Sequence, residues 1–493
     1  MTIHYIDSNF TGVSDGSLES PYKHFLDVPS WSAGDIISMA EESEYFLTDI
    51  NGIELRTNAQ SGNEIVWKCT TPNGDFNKKP VIYQATRYSN NATYQWNDSG
   101  VNGEYYLTLA GGGNPLLVEP KSGTVDGYYR GSSCQDTNSA LEQRATDTVS
   151  GNDPVIETMA DKVWGWGSGA TTALSFNTIW FKPEVGKTPD DYDIILSSGN
   201  YVLRDNNTFH NFEDVVLSHG NVAVVNSRQA SLRVYNRCVI ANADFTGVIS
   251  GTNSTSVKNE FNNCIFSQGH RAVATNHDVG ETVLNNCIIH NLHIVALDSK
   301  SNTFTLSNCI VVGGESGLVD IGSGTTFNQN NNIYYQRHNG GNDASKKLRY
   351  ITDVADYPSS GATSIPANLD SDQLLTSADL VDPQFVAFTV HNWGECDFRL
   401  QSTSPCIGSG TPIAGLSTDA IGATYDLVAP NMGIFAGVGV ASDTNYTVCS
   451  LTVSNSYQST QFQASTVCPL GRDWGTKRYT ADGVIIPNYI HEQ

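Results

Sequence analysis

Polar and apolar positions alternate in short runs along the chain, and between about residue 210 and residue 335 the runs recur with a fixed theme. It reads YNRCVI from Tyr235, FNNCIF from Phe261, LNNCII from Leu284 and LSNCIV from Leu306. The four cysteines in it, Cys238, Cys264, Cys287 and Cys309, stand 26, 23 and 22 residues apart. QNNNIYY puts Asn332 in the cysteine slot 23 residues after Cys309, and FEDVVL offers Asp214 in it 24 residues before Cys238. The position before the slot reads Arg237, Asn263, Asn286, Asn308 and Asn331. Period-two alternation predicts half-buried strands, and β-branched runs broken by Asn, Gly and Ser, such as TFTLSN, CIVVGG and GLVDIG, predict that they are short. A repeat of this length is the mark of a solenoid, and three short strands with three turns in ~23 residues describe one coil of a parallel β-helix. Neighbouring coils would hydrogen-bond at ~4.8 Å, so equivalent residues stack above one another.

Stacking explains the Asn-Cys pair. A small, soft cysteine suits a coil interior, and a turn asparagine tolerates unusual backbone angles while hydrogen-bonding neighbouring coils. Redox or metal chemistry is the other reading of Cys264, Cys287 and Cys309; an interior stack would leave those thiols inert.

Two further stretches carry a resemblance. HYIDSNFTGVSDGSLESPYKHFLDVPSWSAGDIISM, from His4, looks like the opening segment of the right-handed parallel β-helix, or pectate-lyase-like, superfamily. FRLQSTSPCIGSGTPIAGLSTDAIGATYDLVAPNMGIFAG, from Phe398, looks like the segment that closes such proteins, although Gly408 follows Ile407 where an acidic residue is usual. The resemblance covers residues 1–50 and about 190–440. It implies an all-β fold, and this fold hosts lyases, hydrolases, isomerases and inert adhesins alike. Residues 1–60 are then expected to form the opening strands and first coil, and 186–440 the parallel β-helix. Residues 61–185, aromatic and strand-like but without the period, read as irregular coils or an inserted β region. Residues 441–493 read as a β-rich cap or oligomerisation tail.

The charge balance changes the list of partners. With 27 basic against 51 acidic residues the formal charge is −24, so phosphate backbones and anionic membrane surfaces are repelled and neither nucleic acid nor membrane is an expected partner. No run of apolar residues is long enough to span a bilayer, and MTIHYIDSNFTGVSDG has neither the basic nor the apolar part of a signal peptide. A tailspike-like phage surface protein fits these features. By that resemblance the partners would be host cell-surface polysaccharide and other virion proteins, the assembly a homotrimer, and the location a virion surface or the extracellular space. A secreted polysaccharide lyase or hydrolase and a non-catalytic structural or adhesive β-helix are the alternatives.

Candidate chemistry follows from the same count. Asp298 and Asp320 each lie eleven residues after a cysteine of the repeat, Cys287 and Cys309. In HIVALDS and SGLVDIG, Val295, Leu297, Val319 and Ile321 suit the interior, which turns both carboxylates outward on adjacent coils; in the other phase Leu318 points inward and Asp320 is buried. Close carboxylates split into an acid and a base, as glycoside hydrolysis requires; ordinary solvated aspartates are the other reading. SQGHRAVATNHDVGE offers His270 and Arg271 as substrate-binding groups, with His277, Asp278 and Glu281 nearby, an assortment that would suit uronate elimination. Trp164 and Trp166 in VWGWG would either stack on sugar rings or pack an insertion. No cysteine pair, HExxH, GxSxG or phosphate-loop pattern occurs, so no cofactor is implied, and calcium has no ligand spacing in its favour.

Overall fold

The computed structural model describes residues 1–47, most of 49–108, most of 178–335, and 347–351, 354–357, 382–388 and 396–436. It also describes strand segments at 114–120, 128–129, 163–167, 478–479 and 485–486. Within these the chain is strand and turn, with 3-10 turns at Phe25–Asp27, Phe76–Lys78 and Pro189–Asp191.

One coil shows how the repeat is built. Glu281–Asn285 belongs to a first sheet, Asn286 and Cys287 turn the corner, Ile288–Leu292 joins a second sheet, and Val295–Ser299 a third. The chain then re-enters the first sheet at Thr303–Ser307, in parallel register with Glu281–Asn285. Among the described residues the first sheet runs over nine strands from Ile3–Ile6 to Thr326–Asn330, and the second over eight from Glu44–Phe46 to Ile333–Tyr335. The third runs from Ile53–Leu55 to Lys347–Ile351, where Val354–Tyr357 closes it antiparallel. The protein is a parallel β-helix.

The alternation decides which side chains fill the bore. Phe304 and Leu306 of Thr303–Ser307 are fully buried while Thr303 and Thr305 are only half so. Because equivalent positions stack, like meets like: Trp67, Phe212, Tyr235 and Phe261 form a file of near-parallel rings with centroids 5.9, 5.1 and 4.7 Å apart. The separations follow the strand spacing, so backbone pairing and ring stacking favour the same register. Beside that file the bore holds an unusual polar column, His210, Arg233, Asn259 and Thr282, all in register and buried. His210 accepts a hydrogen bond from Trp67 Nε1 at 2.9 Å, and Arg233 Nη1 donates to Asn259 at 3.1 Å.

The cysteines stack as the period predicts. Cys238, Cys264, Cys287 and Cys309 are fully buried free thiols. Their Sγ atoms donate to the carbonyls of Phe212, Tyr235, Phe261 and Leu284 at 3.3 to 3.5 Å, each reaching back to the preceding coil. Burial pushes the Cys238 and Cys287 thiols well up, so they stay protonated and inert. The register corrects one alignment. Phe212 pairs with Tyr235 and Glu213 with Asn236, so Asp214 matches Arg237 and the buried Val215 takes the cysteine slot. The reason is the turn: Asp214, Arg237, Asn263, Asn286, Asn308 and Asn331 all adopt left-handed angles, φ 50° to 56°, and Asp is among the residues that bear them.

The first end of the coil order has a cover. At the first strand Tyr5 gives its N–H to Gly16 (3.1 Å) and takes one from Tyr22 (2.9 Å), so part of the free edge is used up locally, which guards against edge-to-edge pairing. Phe25 and Trp31 lie against Trp67 and close the bore. An insertion leaves the stack after Val81–Tyr83 and returns at Tyr201–Asp205. Among the described residues it contains two four-stranded sheets, one of Tyr128–Tyr129, Asn114–Pro120, Tyr192–Ser197 and Ala85–Arg87, the other of Val163–Gly167, Thr178–Lys182, Tyr105–Thr108 and Asn97–Asp98. Where it leaves, Lys79 and Arg237 both bind the buried Asp214, at 2.5 and 2.8 Å.

Residues 382–388 and 396–436 add no described rung to the three sheets and cover the outer face of the second instead. Phe385, Phe398, Leu400, Met432 and Ile434 pack on Val239, Ile265, Ile288 and Ile310, while Ile240, Phe266, Ile289 and Val311 face the bore. The left-handed asparagines fasten this strap. Asn263, Asn286, Asn308 and Asn331 donate to the carbonyls of Thr418, Gly433, Thr411 and Ser409 at 3.0, 3.2, 2.7 and 2.6 Å. In the same turn column Asn308 also donates to Asn286 at 3.1 Å, and a second column of asparagines runs one residue earlier, where Asn285 donates to Asn262 and Asn262 to Asn236.

Candidate functional site

The third sheet carries the candidate acid pair. Its register runs Glu54, Arg204, Asn226, Ile249, Ala274, Asp298, Asp320 and Tyr350, one residue per coil. Asp298 and Asp320 are direct Cα partners on neighbouring strands, Val295–Ser299 and Gly317–Ile321. The equal offset from Cys287 and Cys309 produces this pairing, because both coils spend the same number of residues on the second sheet and its turn. The register one residue earlier holds Leu203, Val225, Val248 and Val273, all buried in the bore, and Leu297 and Val319 continue it. Upstream of Asp298 the column is partly covered: Ala274 is 1% exposed and Asn226 5%, while Arg204 and Glu54 are partly exposed.

The other sequence-predicted residues are dispersed. Arg271 begins the strand Arg271–Thr275, opposite Thr246 and one coil before Val295–Ser299. His270 lies outside the described residues, as do His277 and Asp278. Glu281 sits on the first sheet, where Lys258 Nζ approaches it at 3.3 Å, so it belongs to a different face from Arg271. Trp164 and Trp166 lie on Val163–Gly167, opposite Phe181 and Ile179 in an antiparallel sheet of the insertion, and the register does not bring them into the third sheet.

Tyr350 was not singled out by counting along the chain. The interval from Asp298 to Asp320 is one regular period, but the excursion after Tyr335 lengthens the next interval and hides the column. A second polar cluster was also missed, because its members are far apart in sequence. His290 is buried on the outer face of the second sheet, with Nδ1 2.8 Å from Ser267 Oγ and Nε2 3.7 Å from Cys396 Sγ. The rings of Phe388 and Phe398 flank it, and this cluster joins the strap to the sheet. Among the described residues no group of three or more His, Cys, Asp or Glu side chains could hold a metal ion, and no helix is long and apolar enough to cross a membrane.

No family model matches the sequence, and no curated protein matches it. Among solved structures the chain is similar to XylC in complex with xylose, at 11% identity over 71% of each chain with a TM-score of 0.39. It is similar to a glycoside hydrolase, at 9% identity over 71% of this chain and 95% of that one with a TM-score of 0.40. A third is the pectate lyase Pel9A, at 11% identity over 88% and 96% with a TM-score of 0.36. These likenesses carry no functional reading, and the fold itself rests on the strand register.

Proposed function

We propose that this protein binds and cleaves polysaccharide, with Asp298 and Asp320 as its acid pair. The observation that carries the reading is their direct pairing on adjacent strands of the third sheet. Adjacent coils at ~4.8 Å sit nearer the ~5–5.5 Å carboxyl separation of retaining glycosidases than the ~6.5–9.5 Å of inverting ones. A pair of this kind would supply one acid and one nucleophile. The protonated member gives its proton to the glycosidic oxygen as that bond breaks, and the ionised member attacks the anomeric carbon. Water then releases the glycosyl-enzyme, handing its proton back to the first carboxylate.

Asp298→Asn and Asp320→Asn are each expected to reduce depolymerisation at least ~100-fold, while stability and glycan binding stay near those of the unaltered protein. The measurement is a reducing-end assay on a panel of bacterial capsular and O-antigen polysaccharides, polygalacturonate and xylan. Full activity in both variants removes the pair from consideration. Binding without cleavage by the unaltered protein replaces this reading with an adhesive one.

The finer reading places the protein on a virion surface, tailspike-like, engaging host cell-surface polysaccharide and other virion proteins as a homotrimer. Neighbouring tail or capsid genes in the source genome are the expected finding. A neighbourhood of sugar transporters and sugar enzymes would instead favour a secreted lyase or hydrolase.

A further inference from the structure

We infer that the corner at His219 is an acid-sensitive joint at the root of the insertion, which opens locally below neutral pH while the rest of the coil stack stays closed. His219 follows the strand Val216–Ser218 by one residue, where the chain turns from the second sheet to the third. On the preceding coil the chain does not make that turn. It runs from Val81–Tyr83 through Gln84 into Ala85–Arg87, and it reaches the third sheet only at Tyr201–Asp205. His219 therefore lies against the exit of the insertion. Gln84 gives its N–H to the Ser218 carbonyl at 3.0 Å, and the rings of Tyr83 and His219 meet edge-on with centroids 5.4 Å apart. Ile195 of Tyr192–Ser197 packs with Tyr83 and Ala85, so these contacts hold the first strands of the insertion on the stack.

The hydrogen bonds around the ring fit its neutral form. Asn242 Nδ2 donates to Ser218 Oγ at 3.0 Å, and Ser218 Oγ lies 2.6 Å from His219 Nδ1. With Asn242 donating to it, the Ser218 hydroxyl gives its own proton to Nδ1, so Nε2 carries the ring hydrogen. A proton added at Nδ1 removes the acceptor that ends this chain. It also places a charge where Gln84, Ser218 and His219 are all buried, which is costly without a partner. The groups set around the ring are Tyr83, Gln84, Ser218 and Asn242, uncharged side chains near neutral pH. Glu44 and Arg87, on neighbouring strands, pair with each other at 2.7 Å, and Asp49 meets Gln84 through its carbonyl. Burial alone acts on the ring's pKa and holds it down.

The place of the ring makes the opening local. His210 is also buried, but its strand His210–Glu213 is paired on both sides, with Ile65 and Arg233 as its own partners, so water reaches it only when the coils part. His219 lies between Val216–Ser218 and Ala223–Ser227, at a left-handed φ of 72°. Turning out the few residues of that corner exposes the ring, and such openings cost less than global unfolding. The open ring takes a proton near the ordinary histidine value of ~6.5, and the closed ring does not. Below that value the open form gains up to tenfold per pH unit, about 25-fold between pH 7 and pH 5.

The test is amide hydrogen exchange of the full-length protein, followed by mass spectrometry between about pH 7 and pH 5 and corrected for the intrinsic exchange rate at each pH. Protection of peptides spanning 84–87 and 216–223 is expected to fall ~25-fold across that range. Peptides spanning Glu281–Asn285 and Thr303–Ser307 should stay protected throughout. His219→Asn bears the same backbone angle and does not titrate, so it should show equal protection of 84–87 at both ends of the range. Should that variant fail to fold, the profile of the unaltered protein decides: protection level above about pH 6.5 and falling toward tenfold per pH unit below it is the mark of one histidine. Protection of 84–87 and 216–223 that does not change with pH overturns the joint. A loss shared equally by the coil peptides also overturns it, because the whole stack then opens together. So does a pH-dependent loss that persists in His219→Asn.

Discussion

Single side chains in this protein are held by the stack above and below them, and two histidines show what that costs in acid. His210 in the bore and His219 at a turn are fully buried, and burial pushes both down to about 3. Ser218 Oγ lies 2.6 Å from His219 Nδ1, which leaves Nε2 without a partner among the described residues. The native state therefore keeps both rings neutral below pH 6.5, while the unfolded chain protonates them. Stability is full above that value and falls as pH drops toward 3, by about 1.4 kcal/mol per pH unit for each ring. At pH 5 the pair should cost about 4 kcal/mol relative to pH 7. Urea titrations at the two pH values check this, and an unchanged midpoint would contradict the neutral burial of both rings. His219 has φ 72°, which asparagine tolerates, so His219→Asn should remove about half of the pH dependence.

Elements meet through the turn asparagines, which set the strap on the second sheet. Asn308 has φ 54°. Its Oδ1 accepts from Thr411 N at 2.8 Å, its Nδ2 donates to Thr411 O and Asn286 Oδ1, and its carbonyl accepts from Gly433 N. Asn308→Ala loses the side-chain bonds and puts in a residue that bears the left-handed angle less well than asparagine, for a total of about 3 kcal/mol. Asn308→Gly loses the same bonds without the backbone strain, so it should be about 1 kcal/mol less damaging than alanine. Chemical denaturation of the two variants checks both values, and equal losses would mean that the left-handed angle is not retained. The period shows in the sequence because every coil repeats this turn. The strap does not, because its partners are backbone carbonyls that any residue supplies.

At the scale of the whole molecule, the segment beyond the strap is the proposed assembly module. Residues 441–493 are outside the coil period, and Arg478–Tyr479 pairs with Ile485–Ile486 there. Removing 441–493 should convert a trimer into monomers, measured by light scattering of both proteins. The same oligomer in each would assign assembly to another surface. With a net charge of −24, copies of the chain repel one another, so a trimer, if formed, should weaken at low ionic strength, where repulsion is least screened.

The sequence by itself determined the coil. Alternation fixed which side chains enter the bore, the Asn-Cys interval fixed the stacking of Cys238, Cys264, Cys287 and Cys309, and equal spacing from two of those cysteines paired Asp298 with Asp320. These are consequences of a local repeat, and a local repeat is written in consecutive residues. The slot of Asp214 was misjudged by one place because an aspartate and an arginine replace asparagine in the first turns, and left-handed angles do not name a single residue type. Only the tertiary structure decided that the insertion leaves between the second and third sheets, that residues 382–388 and 396–436 lie across the second sheet, and that Tyr350 follows Asp320 in the column. Each depends on segments that depart from the period and return, and the chain between departure and return carries no count that tells which rung it rejoins.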